Sequence, residues 1–261
     1  MKISCIQMNM RFNDPDANFD HAVELIREAA ANGTDAAVLP ETWNTGFFPK
    51  DLGACTDQDG TRTKRIFSAL AKELHINIVC GSVADRRAEG FFNTAYVFDR
   101  AGEVAAAYDK THLFTYAGEQ EYFQPGRHTC RFKLDGVTCG LMICYDLRFP
   151  ELARTLALEG IDLLFIPAQW PEKRTMHLET LARARAIENQ IYLALCNSTG
   201  ADGQGARCGG HSAIIDPWGE YLAKAGDQEE IISGEADLSI ITGIRSSINV
   251  FRDRRPELYH I

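Results

Sequence analysis

The stretch Thr138-Cys139-Gly140-Leu141-Met142-Ile143-Cys144-Tyr145-Asp146-Leu147-Arg148-Phe149-Pro150-Glu151 is an apolar strand that runs directly into a thiol, crosses a short mixed segment and enters a helix at proline. Proline is tolerated at the first helical position because its missing N–H has no partner there in any case. A cysteine at such a strand-to-helix turn is presented at the end of a sheet, near a helix N-terminus that favours negative charge. That placement suits a nucleophile. On the local pattern alone, a buried strand-end thiol is the more economical reading, and both stay open.

Outward from Cys144, helical and strand patterns alternate to both ends of the chain. Upstream, Ile3 to Met8 reads as a strand. Asp14-Pro15 reads as a helix N-cap with proline after it, followed by Phe19, Ala22, Val23, Ile26, Ala29 and Ala30 on one helical face. Ala36 to Pro40 is a short buried strand that delivers Glu41. A second helix carries Ile66, Phe67, Leu70 and Leu74. Strands are expected at 78–83, 94–99 and 103–108, the last two joined by a hairpin turn at Asp99-Arg100-Ala101-Gly102. A hairpin pairs 131–134 with 137–143 around Asp135-Gly136. Downstream come helix 150–159, strand 161–167, helix 175–190, and strands 191–196, 211–216 and 231–236. The Gly-rich stretch 200–210 does not open a helix, so it reads as a loop bordering a pocket and not as a phosphate cradle. Helices covering stacked sheets is the simplest α/β architecture for this order.

Two other strand ends carry chemistry. Leu39-Pro40-Glu41 places a carboxylate just past a strand, and Tyr108-Asp109-Lys110-Thr111-His112 does the same for an amine. Taken alone, each is an ordinary surface charge. Brought beside Cys144, the carboxylate takes the thiol proton as general base, and the cation stabilises the thiolate and the oxyanion that follows.

Composition narrows the function classes. The chain has 261 residues, 45% of them hydrophobic, which supports a deep core. Its net charge of −9 argues against nucleic acid or an anionic membrane as partner. The start Met1-Lys2-Ile3-Ser4-Cys5 lacks the apolar region of a signal peptide, and no apolar run is long enough to span a bilayer, so a soluble cytoplasmic protein is expected. Eight cysteines with no CxxC pair are expected as free thiols, with Cys80, Cys139 and Cys196 as small buried hydrophobes. His177-Leu178-Glu179 hints at a zinc deaminase, but no Pro-Cys-x-x-Cys follows. A Cys-His hydrolase would draw on His112, His128, His177 or His211, each better read as a packing or loop residue. A catalytically dead binding protein is the remaining, non-enzymatic reading.

The three strand-end blocks resemble the nitrilase superfamily of carbon–nitrogen hydrolases. Leu39-Pro40-Glu41, Tyr108-Asp109-Lys110-Thr111-His112-Leu113-Phe114 and Ile143-Cys144-Tyr145-Asp146-Leu147-Arg148-Phe149-Pro150 match its signature blocks in order, and Glu119, six residues before Pro125-Gly126, matches its second glutamate. The resemblance implies a four-layer α-β-β-α sandwich as one domain over 1–261, paired into homodimers, with the tail from about residue 238 at the dimer interface. It implies a Glu41-Lys110-Cys144 triad, with Glu119 orienting Lys110 or the substrate amide, and no metal or organic cofactor. The backbone N–H of Tyr145 is expected to share the oxyanion with Lys110.

Within the superfamily the chain looks most like the ω-amidase branch, which acts on 2-oxoglutaramate and 2-oxosuccinamate. Gln169-Trp170-Pro171, the run from Ala182 to Gln190, Gly210-His211-Ser212, Ile215-Asp216-Pro217-Trp218-Gly219 and the tail from Ser247 to Pro256 carry that likeness. Asn249 stands where the family commonly has proline, and Asn197-Ser198-Thr199-Gly200 departs from the Asn-Arg-Val-Gly of some ω-amidases. Such a substrate carries a carboxylate, for which Arg174 is the expected partner. Phe47, Tyr116 and Trp170 are expected to wall a small pocket. Other activities on the same scaffold (nitrilase, carbamoyl-amine hydrolase, aliphatic amidase) share the triad.

Overall fold

In the first strand Ile3 and Cys5 face one way, and Ile6 and, just beyond it, Met8 face the other; both sides are apolar and buried. A strand with two buried faces lies inside a sandwich, with protein packed against each side. The computed structural model, which describes residues 1–47, 51–201 and 205–259, shows what those two sides are.

The first half of the chain contributes β1 (Lys2–Gln7), β2 (Ala36–Val38), β3 (Asp57–Gln58), β4 (Asn77–Val79), β5 (Val83–Arg87), β6 (Gly90–Phe98) and β7 (Val104–Asp109). The second contributes β8 (Cys130–Leu134), β9 (Val137–Leu141), β10 (Leu163–Ala168), β11 (Tyr192–Asn197), β12 (Thr199–Ala201), β13 (Arg207–Gly209), β14 (Ala213–Ile215), β15 (Tyr221–Lys224) and β16 (Glu230–Glu235). One sheet has the order β16-β1-β2-β4-β6-β5-β3, with β7 also paired to β6; the other runs β15-β14-β11-β10-β9-β8. β16 returns to pair antiparallel with β1, so the end of the chain closes the first sheet.

Residues of alternating parity sort into two cores. Val38, Val79, Ala95 and Val97 of the first sheet meet Leu141, Ile166, Ala194 and Cys196 of the second. Ala37, Ile78, Tyr96 and Phe98 face outward onto α1 (Pro15–Ala31) and α3 (Thr61–Leu74), which follows the short α2 (Leu52–Cys55). The second sheet is covered by α4 (Pro150–Leu158) and α5 (Thr175–Asn189) through Leu152, Leu156, Leu178 and Ala182. The expected α-β-β-α layering is therefore observed. α1 begins as its sequence dictates: the Asp14 side chain accepts from the Ala17 N–H at 3.2 Å, with Pro15 at the first position.

Several boundaries differ from the sequence reading. The expected strand 78–83 is two strands, β4 and β5, broken at Gly81, whose φ is +57°. A Cβ there would lie 2.0 Å from the carbonyl oxygen of Pro40, so only glycine lets this turn pass against the end of β2. The stretch 200–210 is not only a loop, because β12 and β13 pair antiparallel within it. β3, β15 and a last helix, α6 (Ile240–Ser247), were not expected from the sequence; each is eight residues or fewer, too short a run for a periodic signal. Among the described residues no helix is long and apolar enough to cross a membrane.

Candidate active site

Parallel pairing brings strand ends to one edge. β9 and β10 pair in parallel, Leu141 opposite Phe165, so both point their C-termini the same way. Beyond them the chain reaches Cys144 and Gln169. From the first sheet, β2 delivers Glu41 and β7 delivers Lys110. The sheets are joined at this edge by the Glu41 N–H, which donates to the Ala168 carbonyl at 3.2 Å. Trp43 anchors the Glu41 segment. It is fully buried, its indole N–H donates to the Cys80 carbonyl at 2.7 Å, and its ring lies edge-on to Phe19 and Phe67. Truncating such a side chain costs about 3–5 kcal/mol.

The polar cluster is buried. Lys110 Nζ donates to Glu41 Oε1 at 2.7 Å and to Glu119 Oε1 and Oε2 at 3.0 and 2.8 Å. Glu41 and Glu119 are fully buried, Lys110 is 1% exposed and Cys144 7%. Glu41 Oε2 accepts the Gln169 backbone N–H at 3.0 Å, and Glu119 Oε2 accepts that of Phe114 at 2.6 Å. Asn93 Nδ2 reaches both carboxylates, 2.9 Å from Glu41 and 3.1 Å from Glu119. The Cys144 thiol lies within the electrostatic influence of the Glu41 carboxylate, the Lys110 ammonium and the Gln169 backbone N–H.

Electrostatics follow from burial. Burial alone disfavours a charged Lys110, but the Glu119 and Glu41 carboxylates outweigh it and hold the amine well above its ordinary value. Burial, and secondly Glu41, push the Cys144 thiol well up, with Lys110 and the Gln169 N–H opposing. The resting group is therefore a thiol waiting for a base, and not the preformed thiolate that its nearness to a helix N-terminus suggests. Burial also pushes the Glu119 carboxyl up, against the pull of Lys110.

Two of the non-glycine residues with positive φ lie beside these groups. Cys144 has φ +45° and Thr42, next to Glu41, has φ +40°. Positive φ is uncommon for any non-glycine residue and an outlier for a β-branched one, and it persists only where the surroundings enforce it. At Thr42 the enforcing contacts are its N–H to Ser82 Oγ at 2.9 Å and its hydroxyl to Gln169 Oε1 at 3.2 Å. At Cys144 the turn is held by buried Asp146, whose Oδ2 accepts from the Ile143 N–H and Tyr108 hydroxyl at 2.9 and 2.8 Å. Its Oδ1 accepts the His112 N–H at 2.9 Å and faces His112 Nδ1 at 2.8 Å, and the His112 ring stacks on Phe149.

A carbon–nitrogen hydrolase family model matches residues 2–246. This chain belongs to the carbon–nitrogen hydrolase family. It is 41% identical to a 2-oxoglutaramate amidase of Bacillus subtilis, covering 98% of each chain. It is 34% identical to the human ω-amidase, over 100% of this chain and 97% of that one. A solved carbon–nitrogen hydrolase superfamily protein of Xanthomonas campestris, with an arsenic adduct in its active site, superposes with a TM-score of 0.91 at 30% identity, covering 98% and 97% of the two chains. The chain is thus an amidohydrolase of the nitrilase superfamily, acting on non-peptide carbon–nitrogen bonds of linear amides.

In this hydrolase a cavity of about 550 Å³ opens onto Cys144 and Lys110. Tyr145, Trp170, Phe47, Tyr116 and Arg174 all line it, as does the 205–208 segment of the Gly-rich stretch. The Arg174 guanidinium lies over the rings of Phe114 and Tyr116, 5.4 and 5.6 Å from their centroids. Arg148 also lines the cavity, over Trp170 at 4.7 Å. No carboxylate among the described residues pairs with Arg148, Lys173 or Arg174; Glu172 is the one acidic group in the described lining, and it faces Arg207 at 3.9 Å. No histidine is part of that lining. Sequence reasoning missed Asn93, Asp146 and the Gln169 N–H. A lone amide in the run Phe91-Phe92-Asn93-Thr94 was the available signal for the first.

Proposed function

We propose that this hydrolase is an ω-amidase, releasing ammonia from a small 2-oxo dicarboxylic monoamide such as 2-oxoglutaramate through a thioester on Cys144. The observation that carries this reading is the pairing of the Glu41–Lys110–Cys144 cluster with a cavity whose described cations outnumber its carboxylates. A carboxylate-bearing amide fits such a wall, and the similarity to 2-oxoglutaramate amidase and ω-amidases supports it.

In the proposed cycle Glu41 takes the thiol proton as the sulfur attacks the amide carbon. Lys110 and the Tyr145 N–H hold the oxyanion. Glu41 returns the proton to the leaving nitrogen, the carbon–nitrogen bond breaks, and ammonia departs. Water, deprotonated by the same carboxylate, cleaves the thioester to the acid and restores the thiol. Glu119 holds Lys110 in place. Eight cysteines, none in a disulfide, fit the reducing cytoplasm, which cell fractionation checks.

The test is ammonia release from 2-oxoglutaramate compared with glutamine, asparagine and simple nitriles. 2-Oxoglutaramate is expected to give the highest kcat/KM, and Cys144→Ala to abolish turnover. A preference for a nitrile or a neutral amide would overturn the substrate, and an active Cys144→Ala would overturn the mechanism.

A further inference from the structure

Asn93 in β6 touches every charged member of the cluster. Its Nδ2 donates to Glu41 Oε1 at 2.9 Å and to Glu119 Oε1 at 3.1 Å. Its backbone carbonyl accepts the Lys110 N–H at 2.9 Å. The side chain is 1% exposed. The opposite amide orientation would aim its carbonyl oxygen at two carboxylates, so the chemistry fixes which atom faces them.

The donor count constrains where a proton can sit. Glu119 receives Lys110 on both oxygens, Asn93 on Oε1 and the Phe114 N–H on Oε2. An oxygen already accepting from such donors has no room for a proton of its own. Glu41 Oε1 is likewise taken by Lys110 and Asn93. Among the described residues Glu41 Oε2 accepts the Gln169 N–H alone, which leaves it room to exchange a proton with Cys144, whose thiol feels the Glu41 carboxylate. The charged or titratable groups facing Glu41 are Lys110, Glu119 and Cys144.

We propose that Asn93 is a positioning residue for this hydrolysis: by donating to both carboxylates it keeps Glu119 ionised and makes Oε2 of Glu41 the single oxygen that receives the thiol proton. The transfer breaks the Sγ–H bond and forms an O–H bond at Oε2. The same proton later leaves with the amide nitrogen. Without Asn93, two carboxylates share one ammonium in a buried site. A resident proton on either then relieves the like-charge repulsion, and on Glu41 it takes the base out of use.

This inference rests on the reading of Glu41 as base and Cys144 as nucleophile. Asn93→Ala and Asn93→Ser are compared with the unmodified enzyme, with folding checked by circular dichroism. Two readouts are followed against pH: kcat and KM for 2-oxoglutaramate, and the rate of Cys144 alkylation by iodoacetamide, which needs no amide substrate. Asn93→Ala is expected to lower kcat about tenfold to a hundredfold with KM nearly unchanged. The acid limb of both profiles should move up by about one pH unit, because a carboxylate that loses a hydrogen-bond donor holds its proton more tightly. Asn93→Ser, which keeps one donor, should fall between. Acid limbs that superpose on that of the unmodified enzyme in either folded variant would overturn the proposal. A Cys144→Ala enzyme that still turns over would instead overturn the reading beneath it.

Discussion

Arg174 is where charge and shape meet at the level of one residue. Its guanidinium is braced over two aromatic rings at the cavity wall and has no carboxylate partner among the described residues. A substrate carboxylate would supply one, and a charge-assisted hydrogen bond contributes about 1.5–3 kcal/mol. Arg174→Ala should therefore raise KM for 2-oxoglutaramate by about tenfold to a hundredfold, at RT of about 0.6 kcal/mol, and leave KM for a neutral amide of similar length nearly unchanged. Steady-state kinetics on the two substrates decides it, and equal effects would remove Arg174 from carboxylate recognition. Arg174 was legible in the sequence because it follows a strand that ends at the site. Glu41, Lys110 and Cys144 were also read at strand ends, but taken alone they read as ordinary surface charges and a buried thiol; the family blocks joined them into one site. Asn93 was not legible, since the expected strand began at Thr94 and left the amide outside it. A single polar residue inside a strand leaves no periodic trace, and its meaning depends on what the neighbouring strands place beside it.

Between elements, Asp146 joins the segment after β7 to the turn after β9. The first bears Lys110 and the second Cys144, and the carboxylate accepts from both: Tyr108 and His112 on one side, Ile143 on the other. Asp146→Asn keeps the shape but turns one acceptor into a donor, which then meets N–H or O–H groups. With about 1.5–3 kcal/mol for each hydrogen bond to a charged group, Tm should fall by several degrees. If the clamp sets the position of Cys144 against Lys110, kcat/KM and the iodoacetamide alkylation rate should fall together by at least about tenfold in protein still folded at the assay temperature. Melting curves beside the two rates separate the effects; a lower Tm with unchanged rates would make Asp146 purely structural. The element pattern itself was readable wherever apolar periodicity ran for a full helix or strand, as in α1, α3 and β9. It failed where a turn interrupts an apolar run, as Gly81 does between β4 and β5, and where strands are only three residues long and glycine-bearing, as in β12 and β13.

Across the whole molecule, the two sheets are tied at both ends, and only one end carries the chemistry. β2, β7, β9 and β10 all run toward the site, so the turns that precede them lie at the far end. There Arg100, in the β6–β7 turn, holds Asp135, in the β8–β9 turn, by a two-pronged hydrogen bond, and Asn77 of β4 donates to the same carboxylate at 2.7 Å. Asp35, before β2, stands 3.4 Å from the same guanidinium. The Arg100 hydrogen bonds, opposed by partial burial and assisted by Asn77, hold the Asp135 carboxyl below its usual value. A carboxyl whose proton affinity is depressed by folding contributes stability above its unfolded value of about 3.9, and that contribution is lost as pH falls through the native value. Asp135 is 31% exposed, so solvent screening limits the contribution to about 0.5–1 kcal/mol. Asp135→Asn, which cannot titrate, should thus melt about 1–3 °C below the unmodified protein near pH 6, and the gap should close as the pH is lowered toward 3. Since the corner is remote from Cys144, kcat at neutral pH should not change. Calorimetry across that pH range checks the first point and ammonia release the second. A Tm gap that persists unchanged at low pH would mean that shape, and not charge, holds this corner of the sandwich closed.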